Sequence, residues 1–222
     1  IMLISHKHKF ITIDIPKTGT CSLRTTLAPL GIIDVFAVGG EGDEKGSFYQ
    51  HDGIIRCRKT FIEKGWDINE YTVFSMIRNP WERYASFLLY ALARIKRYEE
   101  SKEKLSPLGI GEGFALTRAF ERHNRDEHSF FRFLIHQYDS QCSYILDDNN
   151  DLAADIIGRM EKIEDSFKVF CDTVNISPVP ELDHANKSNY EKPYSDYYNQ
   201  EFIDIVAEKE KFVIDKFGYE YE

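Results

Sequence analysis

A lysine, a glycine and several hydroxyl side chains lie close together near the amino terminus, and these residue types suit an anionic phosphate. Residues 11–23 read ITIDIPKTGTCSL. The polar part of this stretch consists of Pro16, Lys17, Thr18, Gly19, Thr20, Cys21 and Ser22. Lys17 supplies a full positive charge, and the hydroxyl groups supply hydrogen-bond donors. Because Gly19 lets the backbone approach a ligand closely, the stretch predicts a phosphate-binding loop.

Such a loop needs a strand before it and a helix after it. The β-branched run at 11–15 predicts a strand that ends at Pro16, and a helical pattern begins after the loop. The N–H groups and the dipole at the start of that helix would favour an anion. The loop is not a Walker A motif, because its lysine precedes the glycine. An ordinary strand-to-helix turn is the alternative interpretation.

A second candidate phosphate site follows another predicted strand. Residues 71–89 read YTVFSMIRNPWERYASFLL, in which 71–77 has the pattern of a buried strand and Pro80 suits the first turn of a helix. Arg78 therefore lies at the carboxyl end of a strand, where open α/β sheets bind ligands. An arginine fork suits a phosphate dianion. The alternative is that Arg78 caps a carbonyl group and that Ser86 is an exposed helix serine.

These two motifs resemble those of the sulfotransferases, which use 3′-phosphoadenosine-5′-phosphosulfate (PAPS) as sulfuryl donor. Residues 16–22 resemble the 5′-phosphosulfate loop, and Arg78 with Ser86 matches the element that binds the 3′-phosphate. The resemblance extends to 155–161 and 165–174 as a later strand and helix, and to the HANKS segment at 184–188 as a loop over the cofactor. Cofactor contacts are thus expected from Pro16, Lys17, Thr18, Gly19, Thr20, Cys21, Ser22, Arg78, Ser86 and Lys187.

The resemblance also implies the fold. It predicts an α/β, P-loop-NTPase-like three-layer domain with a central parallel β-sheet flanked by helices, formed by residues 1–222 as a single domain. The chain has 222 residues, of which 42% are hydrophobic, so it can bury a core of that size. Residues 39–46 and 101–113, which are rich in glycine and charge, are predicted to be loops.

Sulfuryl transfer to a hydroxyl group requires a base and a group that stabilises the leaving phosphate. The resemblance gives the second task to Lys17. Histidine suits the first, since its ordinary pKa is about 6.5. His51 is the histidine between the two phosphate motifs, ahead of a predicted helix at 54–64, which is where many relatives carry one. We therefore predict His51 as the base, with Glu82 in reserve. A surface or capping histidine is the alternative, and Asp52 is a candidate to orient the ring or cap the helix.

Charge and composition limit the partners. The net charge of −9 argues against nonspecific binding to nucleic acid. No apolar run is long enough to span a membrane, no metal-binding motif is present, and the four cysteines form no CxxC pair. We expect a cytoplasmic enzyme without a metal, whose acceptor is a hydroxyl group, with a saccharide favoured by the resemblance. A kinase-like phosphotransferase and a non-catalytic nucleotide-binding module are the alternatives, and the oligomeric state is not predicted.

Overall fold

The computed structural model describes residues 2–37, 51–101, 107–183 and 192–222. These residues hold five strands, β1 (Met2–Ser5), β2 (Phe10–Ile13), β3 (Val35–Ala37), β4 (Thr72–Ile77) and β5 (Ile156–Arg159). The helices in the same residues are α1 (Thr20–Leu27), α2 (Ile54–Glu63), α3 (Pro80–Ser101), α4 (Pro107–Arg122), α5 (Glu127–Gln137), α6 (Cys142–Ile145), α7 (Ile163–Thr173), α8 (Gln200–Lys209) and α9 (Lys211–Phe217).

The strands form one mixed sheet in the order β3-β1-β2-β4-β5. The strands β2, β4 and β5 are parallel, whereas β1 runs antiparallel to both of its neighbours. A mostly parallel sheet with flanking helices confirms the predicted α/β class. The antiparallel β1 is an addition to the purely parallel sheet that the resemblance implies.

The register of the parallel strands decides which residues meet at the carboxyl edge of the sheet. The ladder between β2 and β4 pairs Ile13 with Ser75, and the ladder between β4 and β5 pairs Ile77 with Arg159. The chain after each of these strands therefore emerges at the same edge. That edge receives the 16–22 loop, Arg78 and the segment after β5.

The helices α1 and α7 cover one face of this sheet. The core there joins the strand residues Phe10 and Phe74 to Leu23 of α1 and Phe170 of α7. The Phe170 ring centroid lies 5.1 Å from that of Phe10 and 4.6 Å from that of Phe74. The strands β1 and β2 are buried along their whole length, which explains their nearly continuous apolar sequence.

The chain divides into two compact units. The first comprises Ile1–Arg78 and Ser140–Lys187, and contains the sheet with α1, α2, α6 and α7. The second comprises Asn79–Asp139 and Ser188–Glu222, and contains α3, α4, α5, α8 and α9. The assignment of residues 1–222 to one domain stays a prediction. Among the described helices, none is both long enough and apolar enough to cross a membrane.

The predicted loop at 101–113 is partly wrong, because α4 begins at Pro107. Proline is tolerated in the first turn of a helix, so it does not mark a loop here. Gly113 lies within α4, and a Cβ atom at this position would stand 2.6 Å from the Cβ of Tyr98. This glycine therefore serves close helix packing rather than a turn. The other predicted loop, 39–46, lies outside the described residues.

Candidate functional site

The 16–22 loop reverses the chain between β2 and α1. Lys17 and Gly19 both have left-handed backbones, with φ angles of 72° and 84°. Between them Thr18 is buried, and its Oγ1 donates a hydrogen bond of 2.8 Å to the carbonyl oxygen of Ile15. A lysine seldom adopts positive φ, and conformations of this kind cluster at functional sites. The backbone of the loop is thus held in an unusual shape by a buried side chain.

The loop leads directly into the amino terminus of α1. Gly19 is the N-cap residue, no side chain caps the helix, and its first turn contains no acidic residue. The N–H of Ser22 donates to the carbonyl of Gly19 over 3.0 Å. A Cβ atom at position 19 would lie 2.5 Å from Sδ of Met160 and 2.9 Å from Cδ1 of Ile163. Glycine is therefore required here, and the start of α1 carries the positive dipole end that suits an anion.

Arg78 joins the second predicted motif to the first. It follows β4 directly and is 8% exposed, and its Nη1 donates to the carbonyl oxygen of Lys17 over 3.4 Å. The two residues are 61 positions apart in the chain. The alternative interpretation is correct in that Arg78 does form a hydrogen bond with a carbonyl group. The carbonyl it contacts belongs to the predicted phosphate loop itself.

The remaining predicted cofactor residues differ in their surroundings. Thr20 and Ser22 are buried at the start of α1, and Pro16 and Cys21 are half-buried. Ser86 lies in α3 of the second unit and is 1% exposed, so the alternative of an exposed helix serine is wrong. Lys187 lies outside the described residues, as does the rest of the HANKS segment.

His51 is tied to the backbone next to the loop. Its Nδ1 lies 3.0 Å from the main-chain oxygen of Asp14, which comes directly after β2. A carbonyl oxygen only accepts hydrogen bonds, so Nδ1 carries the proton. In the neutral ring the lone pair then lies on Nε2. This is the tautomer in which Nε2 can act as a base.

The carboxylates near His51 have separate surroundings. Burial raises the pKa of Asp14 to about 6. Asp52 is 7% exposed, and its Oδ1 pairs with Nε of Arg56 at 3.2 Å. The residue that caps α2 is Gly53 rather than Asp52. A main-chain carbonyl therefore helps to orient the His51 ring, and an orienting role for Asp52 stays a prediction.

Glu82, the reserve candidate for the base, lies in the first turn of α3 in the second unit. The Oδ1 of Asn79 accepts hydrogen bonds from the N–H groups of Trp81 and Glu82, at 3.1 Å and 3.3 Å. Asn79 thereby serves as the cap of α3. In this first turn the carboxylate of Glu82 is placed where the helix dipole favours negative charge, which gives it a structural role besides that of reserve base.

One residue with a clear part in this geometry was missed from the sequence. Gln141 is fully buried, and its side-chain amide forms hydrogen bonds with both the N–H and the carbonyl of Arg78. A glutamine in a segment without a recognisable motif gives no signal of such a contact. Among the described residues, no group of three or more His, Cys, Asp or Glu side chains is arranged to hold a metal ion.

Comparison with known proteins supports what the loop and Arg78 indicate. A sequence model described as "Sulfotransferase family" matches residues 2–216, which is nearly the whole chain. No curated protein and no solved structure matches the chain. The matched region includes both strand-to-helix motifs, His51 and every described residue of the site. The chain therefore belongs to the sulfotransferase family.

Proposed function

We propose that this sulfotransferase takes its sulfuryl group from PAPS and transfers it to a hydroxyl group of a saccharide. The observation that carries the proposal is the hydrogen bond from Arg78 to the carbonyl of Lys17. It brings the predicted 3′-phosphate residue against the predicted 5′-phosphosulfate loop. A donor that carries phosphate groups on the 3′ and 5′ positions of one ribose needs a 3′-phosphate residue beside the phosphosulfate loop.

The donor is proposed to bind with its 5′-phosphosulfate over residues 16–22. The ammonium group of Lys17, the buried hydroxyls of Thr20 and Ser22 and the dipole of α1 all favour negative charge there. The Arg78 guanidinium takes the 3′-phosphate. Ser86 and Lys187 are the further contacts that similarity to the family supplies.

The reaction is proposed to be a direct in-line displacement at sulfur. Nε2 of His51 removes the proton from the acceptor hydroxyl as its oxygen forms the new bond to sulfur. The bond from sulfur to the bridging oxygen breaks, and its electron pair leaves with the 5′-phosphate of 3′,5′-adenosine diphosphate. Lys17 stabilises the negative charge on that oxygen. The carbonyl of Asp14 keeps the Nδ1 proton hydrogen-bonded while the ring is cationic.

Calorimetry of nucleotide binding tests the donor. We expect 3′,5′-adenosine diphosphate to bind about 100-fold more tightly than adenosine 5′-diphosphate without any metal, because the 3′-phosphate gains charge-assisted contacts. An Arg78→Ala variant should lose most of this preference. If adenosine 5′-diphosphate with magnesium binds equally well or better, a kinase-like function replaces the proposal. If neither nucleotide binds, the proposed donor site is wrong, and so is the alternative of a module that binds these nucleotides.

The acceptor is tested separately with radiolabelled PAPS and a panel of saccharides and small alcohols. Transfer to a saccharide is the expected result, because the chain resembles the carbohydrate-acting branch of the family. Transfer only to non-saccharide alcohols would leave the donor proposal intact and overturn the proposed acceptor class.

A further inference from the structure

We infer that Gln141 is a positioning residue for the 3′-phosphate of the donor, acting through the main chain of Arg78. This inference rests on the proposed PAPS site, because it assigns a consequence to the placement of Arg78. Gln141 would not touch the donor. Its side chain would fix the point from which the Arg78 guanidinium reaches both the phosphate and the 16–22 loop.

The contact between the two residues has two parts. The Oε1 of Gln141 accepts a hydrogen bond of 2.9 Å from the N–H of Arg78. The Nε2 of Gln141 donates a hydrogen bond of 2.9 Å to the carbonyl of the same residue. Gln141 is 0% exposed and Arg78 is 8% exposed, so both bonds are shielded from water. The carboxamide thus pairs with Arg78 as a peptide group of a neighbouring strand would.

The position of Arg78 explains why this pairing matters. The ladders of the sheet extend along β4 as far as Ile77, which pairs with Arg159. Arg78 is the next residue, where the chain leaves the sheet before α3 begins at Pro80. A buried peptide group needs hydrogen-bond partners, and the amide of Gln141 supplies one for each side. Gln141 therefore continues the strand-like hydrogen bonding of β4 by one residue, to Arg78.

The backbone around Gln141 is itself well held. Gln141 is the N-cap residue of α6, and its carbonyl accepts from the N–H of Tyr144 over 3.2 Å. The Oγ of Ser140 accepts from the N–H of Cys142 over 3.2 Å. A Cβ atom at Gly53 would lie 2.9 Å from the carbonyl oxygen of Ser143, so this turn packs tightly against the start of α2. The backbone that carries the Gln141 side chain is thus held in place by these contacts.

Glutamine is the side chain that this contact requires. Glutamate at 141 could accept from the N–H of Arg78 but could not donate to its carbonyl, and methionine could do neither. The arginine side chain is long and flexible, so an anchored backbone reduces the freedom lost when it binds phosphate. The effect should fall mainly on the 3′-phosphate, which the guanidinium is proposed to bind directly, because its contact with the loop is a long hydrogen bond of 3.4 Å to the carbonyl of Lys17.

The test compares two nucleotides that differ in the 3′-phosphate. We expect Gln141→Met to weaken binding of 3′,5′-adenosine diphosphate by up to about tenfold, because an Arg78 side chain on a less ordered backbone loses more conformational freedom when it binds the phosphate. Binding of adenosine 5′-monophosphate should change by less than about twofold. Asp155→Ala is the matched control, since Asp155 Oδ2 accepts from the N–H of Val73 near the other end of β4, at 2.7 Å. This control should leave the ratio of the two affinities unchanged.

A double-mutant cycle with Arg78→Ala separates positioning from a general loss of structure. If Gln141 acts through Arg78, then Gln141→Met should cause no further loss of 3′,5′-adenosine diphosphate binding in the Arg78→Ala background. Additive losses, or equal losses for both nucleotides, would overturn the inference. If the methionine variant does not fold, Gln141→Glu is judged by the same ratio. A wild-type chain that shows no preference for the 3′-phosphate overturns the PAPS proposal, and this inference falls with it.

Discussion

A single hydrogen bond decides which atom of His51 can take a proton. The bond from Nδ1 to the carbonyl of Asp14 leaves Nε2 as the basic nitrogen of the neutral ring. Asp14 follows β2 and precedes the 16–22 loop, so His51 is hydrogen-bonded to the same stretch of backbone that would hold the donor. His8 makes a similar contact with the carbonyl of Val174, so the role of His51 as the base stays a prediction that replacement of each histidine can test.

Replacement of His51 should separate catalysis from donor binding. We expect His51→Ala to lower turnover by about 10²–10⁴-fold, the usual contribution of a general base. Affinity for 3′,5′-adenosine diphosphate should change by less than about twofold. Turnover is measured with labelled PAPS and affinity by calorimetry.

His8 offers a matched control for this change. Its Nδ1 also lies near a main-chain oxygen, that of Val174 at 3.1 Å, but it stands in the turn before β2, at the opposite end of that strand from the loop. His8→Ala should therefore leave turnover unchanged. Turnover of His51→Ala equal to that of His8→Ala would remove His51 from the mechanism.

The buried Asp14 makes stability depend on pH. Its pKa rises from 3.8 to about 6 because burial disfavours the charged form. The folded chain thus holds a proton that the unfolded chain has already released. Protonated Asp14 therefore contributes stability that is fully present below the pKa that this group has in the unfolded chain. That contribution is lost as the pH rises through about 6, the pKa in the folded chain. Asp14→Asn should gain about 2 kcal/mol relative to wild type between roughly pH 4.5 and 8.

Urea denaturation at a series of pH values measures this effect. Asp147→Asn is a control of opposite sign, because the N–H groups of Asn149 and Asp151 hold the pKa of Asp147 below its ordinary value. That variant should lose stability relative to wild type as the pH rises through the acid range. A parallel pH profile for Asp14→Asn and wild type would contradict the assignment of a buried, proton-holding carboxylate.

At the level of elements, the junction between β2 and α1 depends on glycine at position 19. Its φ of 84° is strained for any side chain, and a Cβ would meet Met160 and Ile163. Gly19→Ala should therefore cost about 1–2 kcal/mol for the backbone, and a smaller further amount because the ends of the Met160 and Ile163 side chains must move. Nucleotide affinity should fall as well, since the start of α1 must shift.

Gly31 separates these two causes. Its φ is 65°, but nothing lies within 4 Å of a Cβ added there. Gly31→Ala should lose only the backbone part, about 1–2 kcal/mol, with no change in nucleotide affinity. Urea denaturation and calorimetry on both variants provide the comparison. Equal stability losses, or intact binding in Gly19→Ala, would show that the close approach to Met160 is not needed.

Across the whole molecule, short-range signals made the strand-loop-helix units predictable. The largely apolar run before Pro16 and the one before Arg78 contain β2 and β4, because a strand buried on both faces is mostly apolar. The strands β1 and β3 were not predicted, because β1 is apolar but no loop motif follows it, and β3 has only three residues. The strand β3 joins the sheet through a distant pairing with β1, in which Val35 lies opposite Ile4. Local sequence does not record such pairing.

In the candidate site, too, some residues could be predicted from local sequence and others could not. Lys17, Gly19 and Arg78 could be selected because their residue types suit phosphate and they follow strands. Gln141 could not, because its role comes from a contact across 63 positions of the chain. The tautomer of His51 likewise depends on a carbonyl that sequence cannot place. Residue chemistry is visible in the sequence, whereas the supporting hydrogen bonds depend on the fold.

The second unit is held together by a buried ion pair. Nη1 of Arg83 in α3 lies 2.9 Å from Oε1 of Glu210, and both side chains are 0% exposed. Nη2 of Arg83 donates to the carbonyl of Asp139 over 3.0 Å, and the hydroxyl of Tyr84 donates to Glu210 over 3.3 Å. Lys209 donates to the carbonyl of Ile135 over 2.7 Å, near the end of α5. Charged groups thus connect α3, α5 and the junction of α8 with α9.

Replacement of one partner of this pair should lower the free energy of unfolding by more than replacement of both. Arg83→Met leaves the Glu210 charge buried, so we expect a loss of about 3–5 kcal/mol, and Glu210→Met should behave alike. The double replacement should cost less than the sum, because no uncompensated charge remains. The exposed pair of Lys211 and Asp215 is the control, and Lys211→Met should cost less than about 1 kcal/mol. If urea denaturation gives additive losses for Arg83 and Glu210, the two charges do not stabilise one another.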